Sequence, residues 1–410
     1  MQYKVYPPTT LRTTVHLPAS KSISNRALII NALSLSTLPI KNLSDCEDTR
    51  VIIDTFNSNS NIFDVKAAGT AMRFLTAFLA GMEGEWIIRG SKRMHERPIH
   101  PLVDALTALG AEIEYLEKEG YPPLKIKGRR LKGGEVYLSG NISSQFISAL
   151  LMIAPLMENG LIVHIEKEIV SKPYVQLTLS MMKKFGITAK WEDNDIIIKH
   201  QDYTPVSMTV ESDWSAASYW YAMTALSDDP DAQVTLLGLE KDSWQGDSAV
   251  VTLFSYLGVS TEFFDKGIVI RKTKERSKKF FHDFVDQPDL VQTFATTCCF
   301  LNIPFLFSGI QSLRIKETDR ILALMTELKK LGFVLKETDI GMMEWDGERS
   351  FPEVNPLIDT YDDHRMAMSF APAAIRYNSI IINDPKVVNK SYPNFWNDLK
   401  SAGFRIEKIE

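Results

Sequence analysis

Residues 314–320 concentrate charge in a way that indicates an anion-binding site. The run reads Arg-Ile-Lys-Glu-Thr-Asp-Arg and places three cations and two carboxylates within seven positions. Charges on a solvated helix face are normally spread out and paired at i,i+4. Here they crowd the start of an apolar helical stretch, where backbone N–H groups already favour anions. The alternative for this run alone is a salt-bridged helix terminus without a ligand.

The elements that would position such a site repeat along the chain. Six segments share a polar or acidic turn followed by a helix of small and apolar residues. They begin near Ser20, Gly69, Ser143, Ser212, Asp286 and Asp362. The first spacing is 49 residues and the others are 69 to 76 residues. If the helix N-termini of these segments point to a common centre, their dipoles make that centre attractive to anions.

A second helix that ends in glycine completes most of these segments. The glycines are Gly110, Gly186, Gly258, Gly332 and Gly403, and glycine suits a helix C′ position that needs a positive φ. Strand-like runs follow, for example at 111–115, 195–199 and 267–271. Each segment therefore predicts helix, strands and helix over roughly 70–75 residues, and six segments predict two pseudo-threefold domains. The first segment lacks a strand-bearing stretch before Gly69, where residues 57–61 predict a polar loop.

Composition limits the class of protein. A chain of 410 residues with 45% hydrophobic and 24% charged residues is typical of a globular enzyme with two domains. The net charge of −5 argues against a general nucleic-acid binder. Three cysteines, of which Cys298 and Cys299 are adjacent, provide neither a disulfide framework nor a metal site. We expect no signal peptide and no membrane span, and therefore a cytoplasmic location.

Eight motifs in a fixed order resemble one enzyme family over nearly the whole chain. They are 18–27 (Pro-Ala-Ser-Lys-Ser-Ile-Ser-Asn-Arg-Ala), 69–73 (Gly-Thr-Ala-Met-Arg), 96–98 (Glu-Arg-Pro), 143–145 (Ser-Ser-Gln), 171–174 (Ser-Lys-Pro-Tyr), 314–320, 363–367 (Asp-His-Arg-Met-Ala) and 384–386 (Asp-Pro-Lys). Together they closely resemble the EPSP synthase (3-phosphoshikimate 1-carboxyvinyltransferase) family of enolpyruvyl transferases. Each motif alone is weak, whereas the ordered set is specific.

The resemblance implies an α/β (α+β) fold: a two-domain inside-out α/β barrel of six βαβαββ-type repeats, here with a shortened first repeat. Residues 18–212 would form a three-repeat domain that carries most contacts to shikimate 3-phosphate. Residues 1–17 and 213–410 would form the other three-repeat domain, which closes over phosphoenolpyruvate.

The family transfers the enolpyruvyl group of phosphoenolpyruvate to the 5-hydroxyl of shikimate 3-phosphate and releases phosphate, a step toward chorismate and the aromatic amino acids. The resemblance implies no metal or organic cofactor. We expect a monomer with these small-molecule substrates and with neither a nucleic-acid nor a membrane partner.

The resemblance also implies two sets of binding residues. The phosphoenolpyruvate set is Lys21, Gly69, Thr70, Arg97, Gln145, Arg320, Arg365 and Lys390. The shikimate 3-phosphate set is Lys21, Ser22, Arg26, Ser143, Ser144, Gln145, Ser171, Tyr174, Asp289, Ser312 and Lys316. Both substrates carry a carboxylate and a phosphate, so a site for both needs several cations. Seven lysines and arginines in the two sets supply them.

The reaction needs two proton movements. Asp289 is the candidate base for the 5-hydroxyl. Lys21, Glu317 and Lys390 are candidates for proton exchange at the methylene and for protonation of the leaving group, and the sequence leaves their division of labour open. His364 is expected to position its neighbours.

Some positions depart from the family pattern. The usual Asn before the Gly-Thr pair is Ala67, the usual Pro after Met-Arg is Phe74, and an Asn that contacts shikimate 3-phosphate is Ser312. The first two departures bear on the geometry of the Gly69 loop and on the response to glyphosate, which competes with phosphoenolpyruvate in the family.

Three alternatives compete with this interpretation. The sister enzyme that acts on UDP-N-acetylglucosamine uses a loop cysteine, but no cysteine occurs between Cys46 and Cys298, and 91–95 occupies the expected loop. A relative that acts on RNA 3′ ends through a nucleotidyl-histidine is disfavoured by the acidic charge and only seven histidines. The third alternative is a non-catalytic relative of the fold that binds ligands without turnover.

Overall fold

The computed structural model describes residues 1–409, which contain thirteen α-helices and twenty-two strands. The helices are α1 (Lys21–Leu33), α2 (Glu47–Phe56), α3 (Gly69–Ala80), α4 (His100–Ala108), α5 (Ser144–Ile153), α6 (Lys172–Lys184), α7 (Trp214–Leu226), α8 (Val250–Ser255), α9 (Val291–Leu301), α10 (Arg320–Lys330), α11 (His364–Phe370), α12 (Ala374–Tyr377) and α13 (Phe395–Ser401). Within 1–409, none of these helices combines the length and the apolar character that crossing a membrane requires.

The strands are mostly short and belong to six sheets. They are β1 (Gln2–Tyr6), β2 (Arg12–His16), β3 (Ile40–Lys41), β4 (Ile62–Asp64), β5 (Gly84–Arg89), β6 (Glu112–Tyr115), β7 (Leu124–Gly128), β8 (Gly134–Ser139), β9 (Leu161–Glu166), β10 (Ala189–Glu192), β11 (Asp195–Ile198), β12 (Met208–Thr209), β13 (Gln233–Leu237), β14 (Val259–Phe264), β15 (Gly267–Lys272), β16 (Phe280–Asp283), β17 (Phe305–Ser308), β18 (Lys336–Asp339), β19 (Met342–Trp345), β20 (Leu357–Ile358), β21 (Ile380–Asn383) and β22 (Arg405–Ile409).

Contacts divide the chain into two compact units, one formed by Met1–Ala19 with Glu211–Glu410 and the other by Ser20–Val210. In the first unit, three sheets have the orders β2-β13-β15-β14, β16-β17-β19-β18 and β20-β21-β1-β22. Each sheet begins with a parallel pair and continues with two antiparallel neighbours. The same arrangement three times over is what an internal threefold repeat predicts.

The unit Ser20–Val210 has two sheets of this kind, β4-β5-β7-β6 and β8-β9-β11-β10. Its third sheet consists only of the parallel pair β3 and β12. The antiparallel hairpin that would follow α2 is replaced by the loop at 57–61 before β4. The predicted shortening of the first repeat is therefore confirmed, and the part lost is one β-hairpin.

The first helix of each repeat forms the interior of its unit. All twelve residues of α3 are buried, as are nearly all those of α5, α7 and α9. Their small and apolar side chains pack helix against helix, α3 on α5 and α9 on both α7 and α11. Cys298 and Cys299 lie buried within α9, as their apolar context predicts.

The five glycines predicted at helix C′ positions all have a positive φ, between 86° and 102°. The helix in the fifth repeat begins later than the sequence pattern indicates. A 3-10 turn at Pro288–Leu290 precedes α9, which begins at Val291 rather than near Asp286. Pro288 suits the first positions of such a turn because it has no backbone N–H to donate. This displaces Asp289 from the helix into the turn before it.

Candidate active site

In the unit that contains α7 to α13, three helices, α7, α10 and α11, begin at an acidic N-cap. The side chains of Asp213, Asp319 and Asp363 accept hydrogen bonds from the backbone N–H groups of Ala216, Leu322 and Arg365, at 3.0, 3.1 and 2.9 Å. Each carboxylate satisfies a helical N–H that has no partner within its helix and interacts favourably with the helix dipole. The predicted helix start at 314–320 is thereby confirmed, with Asp319 as its cap.

Arg320 is the centre of charge in this unit. It begins α10, is 1% exposed, and forms ion pairs with three carboxylates. Its Nε lies 2.7 Å from Asp363 Oδ2, its Nη1 3.0 Å from Asp289 Oδ1, and its Nη2 3.0 Å from Glu317 Oε2. Burial alone would lower the pKa of Arg320, but the three carboxylates outweigh it and raise that pKa.

Asp289 joins Arg320 to a second arginine. Its Oδ2 lies 2.8 Å from Nη2 of Arg365, and its backbone carbonyl accepts from Arg365 Nη1 at 3.1 Å. Arg365 also reaches the hydroxyl of Tyr219 at 3.5 Å. The 3-10 turn before α9 thus brings the candidate base between two predicted anion-binding arginines. The structure therefore brings together Asp289, Glu317, Arg320 and Arg365, which are up to 76 positions apart in sequence.

The other candidates of this unit lie in the adjoining segments. His364 is the first residue of α11 and is 1% exposed, with Nδ1 3.7 Å from Asp363 Oδ1. Lys390 ends a 3-10 turn at Pro385–Lys390, and its Nζ donates to the Asp362 carbonyl at 3.5 Å. Lys316 and Ser312 belong to the segment that leads into α10, where Gln311–Ile315 form a further 3-10 turn.

Asp247 is a buried carboxyl near this cluster that the sequence analysis missed. It lies in the 3-10 turn Gly246–Ala249 and accepts a short hydrogen bond from Ser215 on α7. Burial first, and then the charge of Asp289, raise the pKa of Asp247 to about 7. No periodicity or charge pattern singles it out in the sequence, because its importance arises only from packing.

In the unit Ser20–Val210, Lys21 is placed at the start of α1. Ser20 caps that helix by accepting from the Ile23 N–H at 3.4 Å. The Lys21 Nζ lies 3.8 Å from Asp48 Oδ2, and both side chains are largely buried. A lysine at a helix start lies next to the backbone N–H groups of the first turn. Its ammonium group and these N–H groups can bind the same anion.

Gly69 and Arg97 are in close contact. A Cβ on Gly69 would lie 2.6 Å from Arg97 Nη1, so the glycine lets this guanidinium lie against the start of α3. The Gly69 carbonyl accepts from Arg73 Nη1 at 3.0 Å. Among residues 1–409, the buried Nε of Arg97 has no hydrogen-bond partner. The contact places an arginine next to the start of α3.

The starts of α3 and α5 are joined by a side-chain hydrogen bond. Gln145 Nε2 donates to Thr70 Oγ1 at 3.2 Å. Ser143 caps α5 and accepts from the Gln145 N–H at 3.4 Å, and Ser144 is the first residue of that helix. The motifs 69–73 and 143–145 are therefore in contact through these side chains.

The side chain of Arg26 is buried, although the resemblance implies that it contacts shikimate 3-phosphate. It is 2% exposed, and its guanidinium donates to Thr178 Oγ1 at 2.7 Å, Ser148 Oγ at 3.1 Å, and the carbonyls of Ser22 and Tyr174 at 3.0 and 3.4 Å. Burial lowers its pKa to about 10. Through these bonds Arg26 holds the starts of α1 and α6 together.

Two further positions complete this part of the molecule. Phe74, which replaces the usual proline, places its ring centroid 5.1 Å from the Arg26 guanidinium carbon. This cation–π contact stabilises the buried charge. Ser171 precedes α6 with a φ of 62° and is buried. A left-handed conformation at a serine is uncommon and is often found at functional sites.

Comparison with known proteins agrees with the motifs. The model of the family EPSP synthase (3-phosphoshikimate 1-carboxyvinyltransferase) matches residues 5–58 and 52–399. The two matched segments meet at 52–58, at the end of α2 and the loop where the hairpin is missing.

Curated relatives and a solved structure extend this agreement. The chain is 54% identical over 408 residues to a 3-phosphoshikimate 1-carboxyvinyltransferase of Bacteroides fragilis, with 99% of each chain covered. It is 37% identical to one of Vibrio campbellii, covering 94% of this chain and 96% of the relative. The fold is similar to that of an EPSP synthase from Acinetobacter baumannii, with a TM-score of 0.80 at 21% identity and coverage of 99% and 100%. The chain therefore belongs to the EPSP synthase family.

Proposed function

We propose that this chain transfers the enolpyruvyl group of phosphoenolpyruvate to the 5-hydroxyl of shikimate 3-phosphate, giving 5-enolpyruvylshikimate 3-phosphate and phosphate. The observation that carries the proposal is the Asp289 carboxylate between Arg320 and Arg365, at 3.0 and 2.8 Å. It combines a proton acceptor with two cations that suit carboxylate and phosphate groups. The 54% identity to a relative of that name supports the same reaction.

We assign the phosphoenolpyruvate contacts to Arg97, Arg320, Arg365, Lys21, Lys390, Gln145, Thr70 and the Gly69 backbone. Arginine presents a planar fork of N–H donors that fits a carboxylate in a bidentate manner. Arg320 and Arg365 already interact with carboxylates in the structure. An incoming substrate carboxylate or phosphate would take over part of this coordination and leave Asp289 able to accept a proton.

We assign the shikimate 3-phosphate contacts to Ser22, Ser143, Ser144, Gln145, Ser171, Tyr174, Ser312, Lys316, Lys21 and Asp289. Arg26 would support these contacts through its hydrogen bonds to the carbonyls of Ser22 and Tyr174. Hydroxyl groups at helix starts bind phosphate together with the local N–H groups. The capping bond of Ser143 is long, at 3.4 Å, so this hydroxyl is only weakly engaged with its own helix.

Proton transfer follows from these assignments. The Asp289 carboxylate removes the proton of the 5-hydroxyl as that oxygen attacks C2 of phosphoenolpyruvate, while the methylene carbon gains a proton. The methylene proton is then lost as phosphate leaves. Lys21, Glu317 and Lys390 are the candidates that donate this proton to the methylene, take it back and protonate the leaving phosphate, and His364 positions the start of α11. Donors fixed before the reaction stabilise the developing charge without reorganisation.

A phosphate-release assay tests the proposal. Enzyme with both substrates is expected to release phosphate, whereas omission of either substrate should abolish release. UDP-N-acetylglucosamine in place of shikimate 3-phosphate is the control acceptor and is expected to give none. Release with that acceptor alone would favour the sister activity, and binding without release would favour a non-catalytic relative.

We further propose a monomeric, cytoplasmic enzyme that uses neither a metal nor an organic cofactor. Light scattering after size exclusion should then give a mass near the chain mass of 46.4 kDa. A doubled mass would contradict the monomer. Loss of phosphate release after exhaustive chelation would contradict the absence of a metal.

A further inference from the structure

The turn at 359–363 is attached to α10 at two points. Asp363 binds the first residue of α10, Arg320, at 2.7 Å. The other end of the turn binds Glu327, seven residues further along the same helix. Seven residues are close to two helical turns, so Arg320 and Glu327 lie on one face of α10. Both are buried, at 1% and 0% exposure.

Glu327 uses both carboxylate oxygens on this turn. Its Oε1 accepts from the Tyr361 hydroxyl at 2.6 Å, and its Oε2 accepts from the Asp359 backbone N–H at 3.1 Å. Lys330 compensates the buried charge, with Nζ 2.8 Å from Glu327 Oε2. Loss of any of these partners would leave part of a buried charge without compensation, which is unfavourable. Glu327 therefore holds the turn at 359–363 in a defined position.

The same network reaches the segment that carries Lys390. Lys330 Nζ lies 3.1 Å from Asp359 Oδ2, and Asn383 at the end of β21 donates to Asp359 Oδ1 at 3.0 Å. The chain continues from Asn383 into the turn that ends at Lys390. The turn at 359–363 is therefore in contact with the segments that hold Arg320, Arg365 and Lys390.

The turn needs such support because its backbone is strained. Tyr361 and Asp362 have φ values of 53° and 55°, in the left-handed region, which is unfavourable for residues other than glycine. One backbone hydrogen bond, from the Asp363 N–H to the Thr360 carbonyl at 2.8 Å, closes the turn. Burial, and then the hydrogen bond to Glu327 and its charge, raise the pKa of Tyr361, which favours the protonated phenol that donates to Glu327.

We propose that Glu327 is a positioning residue for the phosphoenolpyruvate-binding arginines. Through Tyr361 and the Asp359 backbone it fixes the turn that places Asp363 against Arg320 and presents Arg365 on α11. The inference rests on the proposed function, because it assigns Arg320 and Arg365 to phosphoenolpyruvate. Neither Glu327 nor Tyr361 touches the reacting atoms in this proposal.

The test compares Tyr361→Phe and Glu327→Gln with Tyr377→Phe. Tyr361→Phe removes one hydroxyl and keeps the ring, so we expect this variant to fold. It therefore provides the test if Glu327→Gln does not fold. Tyr377 is the matched control, because its hydroxyl donates to the Leu331 carbonyl just after α10, at 3.1 Å, outside the turn. Steady-state phosphate release with each substrate varied separately gives KM for both substrates and kcat.

We expect Tyr361→Phe to raise KM for phosphoenolpyruvate about three- to tenfold, the effect of one hydrogen bond. Glu327→Gln, which also loses the ion pair with Lys330, should raise this KM at least as much. KM for shikimate 3-phosphate should stay unchanged in both, and Tyr377→Phe should change neither. A lower kcat with both KM values unchanged would show only loss of folded enzyme and would overturn the inference, as would no effect at all. Wild-type enzyme without phosphate release would instead overturn the proposed function and the inference with it.

Discussion

Arg320 donates from Nε to Oδ2 of Asp363 at 2.7 Å, and both side chains are almost completely buried. The other oxygen of Asp363 accepts the Arg365 N–H and begins α11. One carboxylate therefore orients the guanidinium of one arginine and the backbone of the next. Asp363 and Asp289, which pairs with both guanidinium groups, therefore link the two arginines.

Replacement of Asp363 should affect stability as well as activity. We expect Asp363→Asn to lower the free energy of unfolding by about 2 kcal/mol, because it leaves a buried arginine with one charged partner fewer. Urea denaturation measures this difference. Asp346→Asn is the control: its ion pair with Lys336 at 3.1 Å is exposed, so the loss should stay below about 1 kcal/mol. Equal losses in the two variants would contradict the special role of Asp363.

Asp289 should be required for turnover. We expect Asp289→Asn to lower kcat at least about a hundredfold, since the amide cannot accept the hydroxyl proton. Calorimetry should still detect binding of shikimate 3-phosphate. Asp283→Asn, at the end of β16, changes a carboxylate that accepts the Val285 N–H and should leave kcat unchanged. A near-normal kcat in Asp289→Asn would remove Asp289 as the base.

Enlargement of Gly69 should displace Arg97. The added Cβ of Gly69→Ala would lie 2.6 Å from Arg97 Nη1, so the guanidinium must move. We expect KM for phosphoenolpyruvate to rise about tenfold or more, since a bond to a charged group contributes about 1.5–3 kcal/mol. Gly81→Ala is the control because its Cβ would make only an ordinary contact, 3.6 Å from the Phe78 carbonyl. An unchanged KM in Gly69→Ala would argue against a role for Arg97.

Lys316 should contribute to binding of shikimate 3-phosphate. We expect Lys316→Ala to weaken this binding about 10- to 100-fold, the range for loss of one bond between charged groups. Calorimetry with shikimate 3-phosphate alone measures the effect. Lys329→Ala, in the last turn of α10, removes an equal charge from an exposed position and should have little effect. Unchanged affinity in Lys316→Ala would contradict its assignment.

Asp247 should make stability depend on pH. Its pKa in the folded state is about 7, above the ordinary value of 3.8. Between these two pH values, Asp247 is protonated in the folded protein and ionised in the unfolded chain. Stability should therefore fall as pH rises from about 4 to 7, by up to about 4 kcal/mol, and then level off. Denaturation of wild type and Asp247→Asn at pH 5 and pH 8 measures this. We expect the asparagine variant to be more stable than wild type at pH 8, and a lower stability there would contradict the prediction.

Much of the fold could be predicted from the sequence because it repeats. Gly110, Gly186 and Gly258 show why: each follows an amphipathic run, and only glycine adopts the needed φ at low cost. The shortened first repeat could also be read from one anomalous spacing. The late start of α9 could not, because Pro288 and the packing of a 3-10 turn decided it.

The site could be predicted less completely. The motifs identified which arginines matter, since Arg320 and Arg365 stand in distinctive runs. They did not reveal that Asp289 joins these two side chains, because that contact depends on three helix starts that meet in space. Asp247 and Glu327 gave no signal, since burial rather than spacing makes a carboxylate important at these positions.

The two-stranded sheet of β3 and β12 brings the two ends of the segment 20–210 close together in space. Residues 40–41 pair with 208–209, and Ala19 forms a β-bridge with Ser212. The segment 20–210 therefore begins and ends at neighbouring positions in the chain of the other unit. Such closely spaced ends are what a gene-level insertion of one module into another would need. They also mean that a few linking residues would suffice to close the excised segment into a ring or to give it new termini elsewhere.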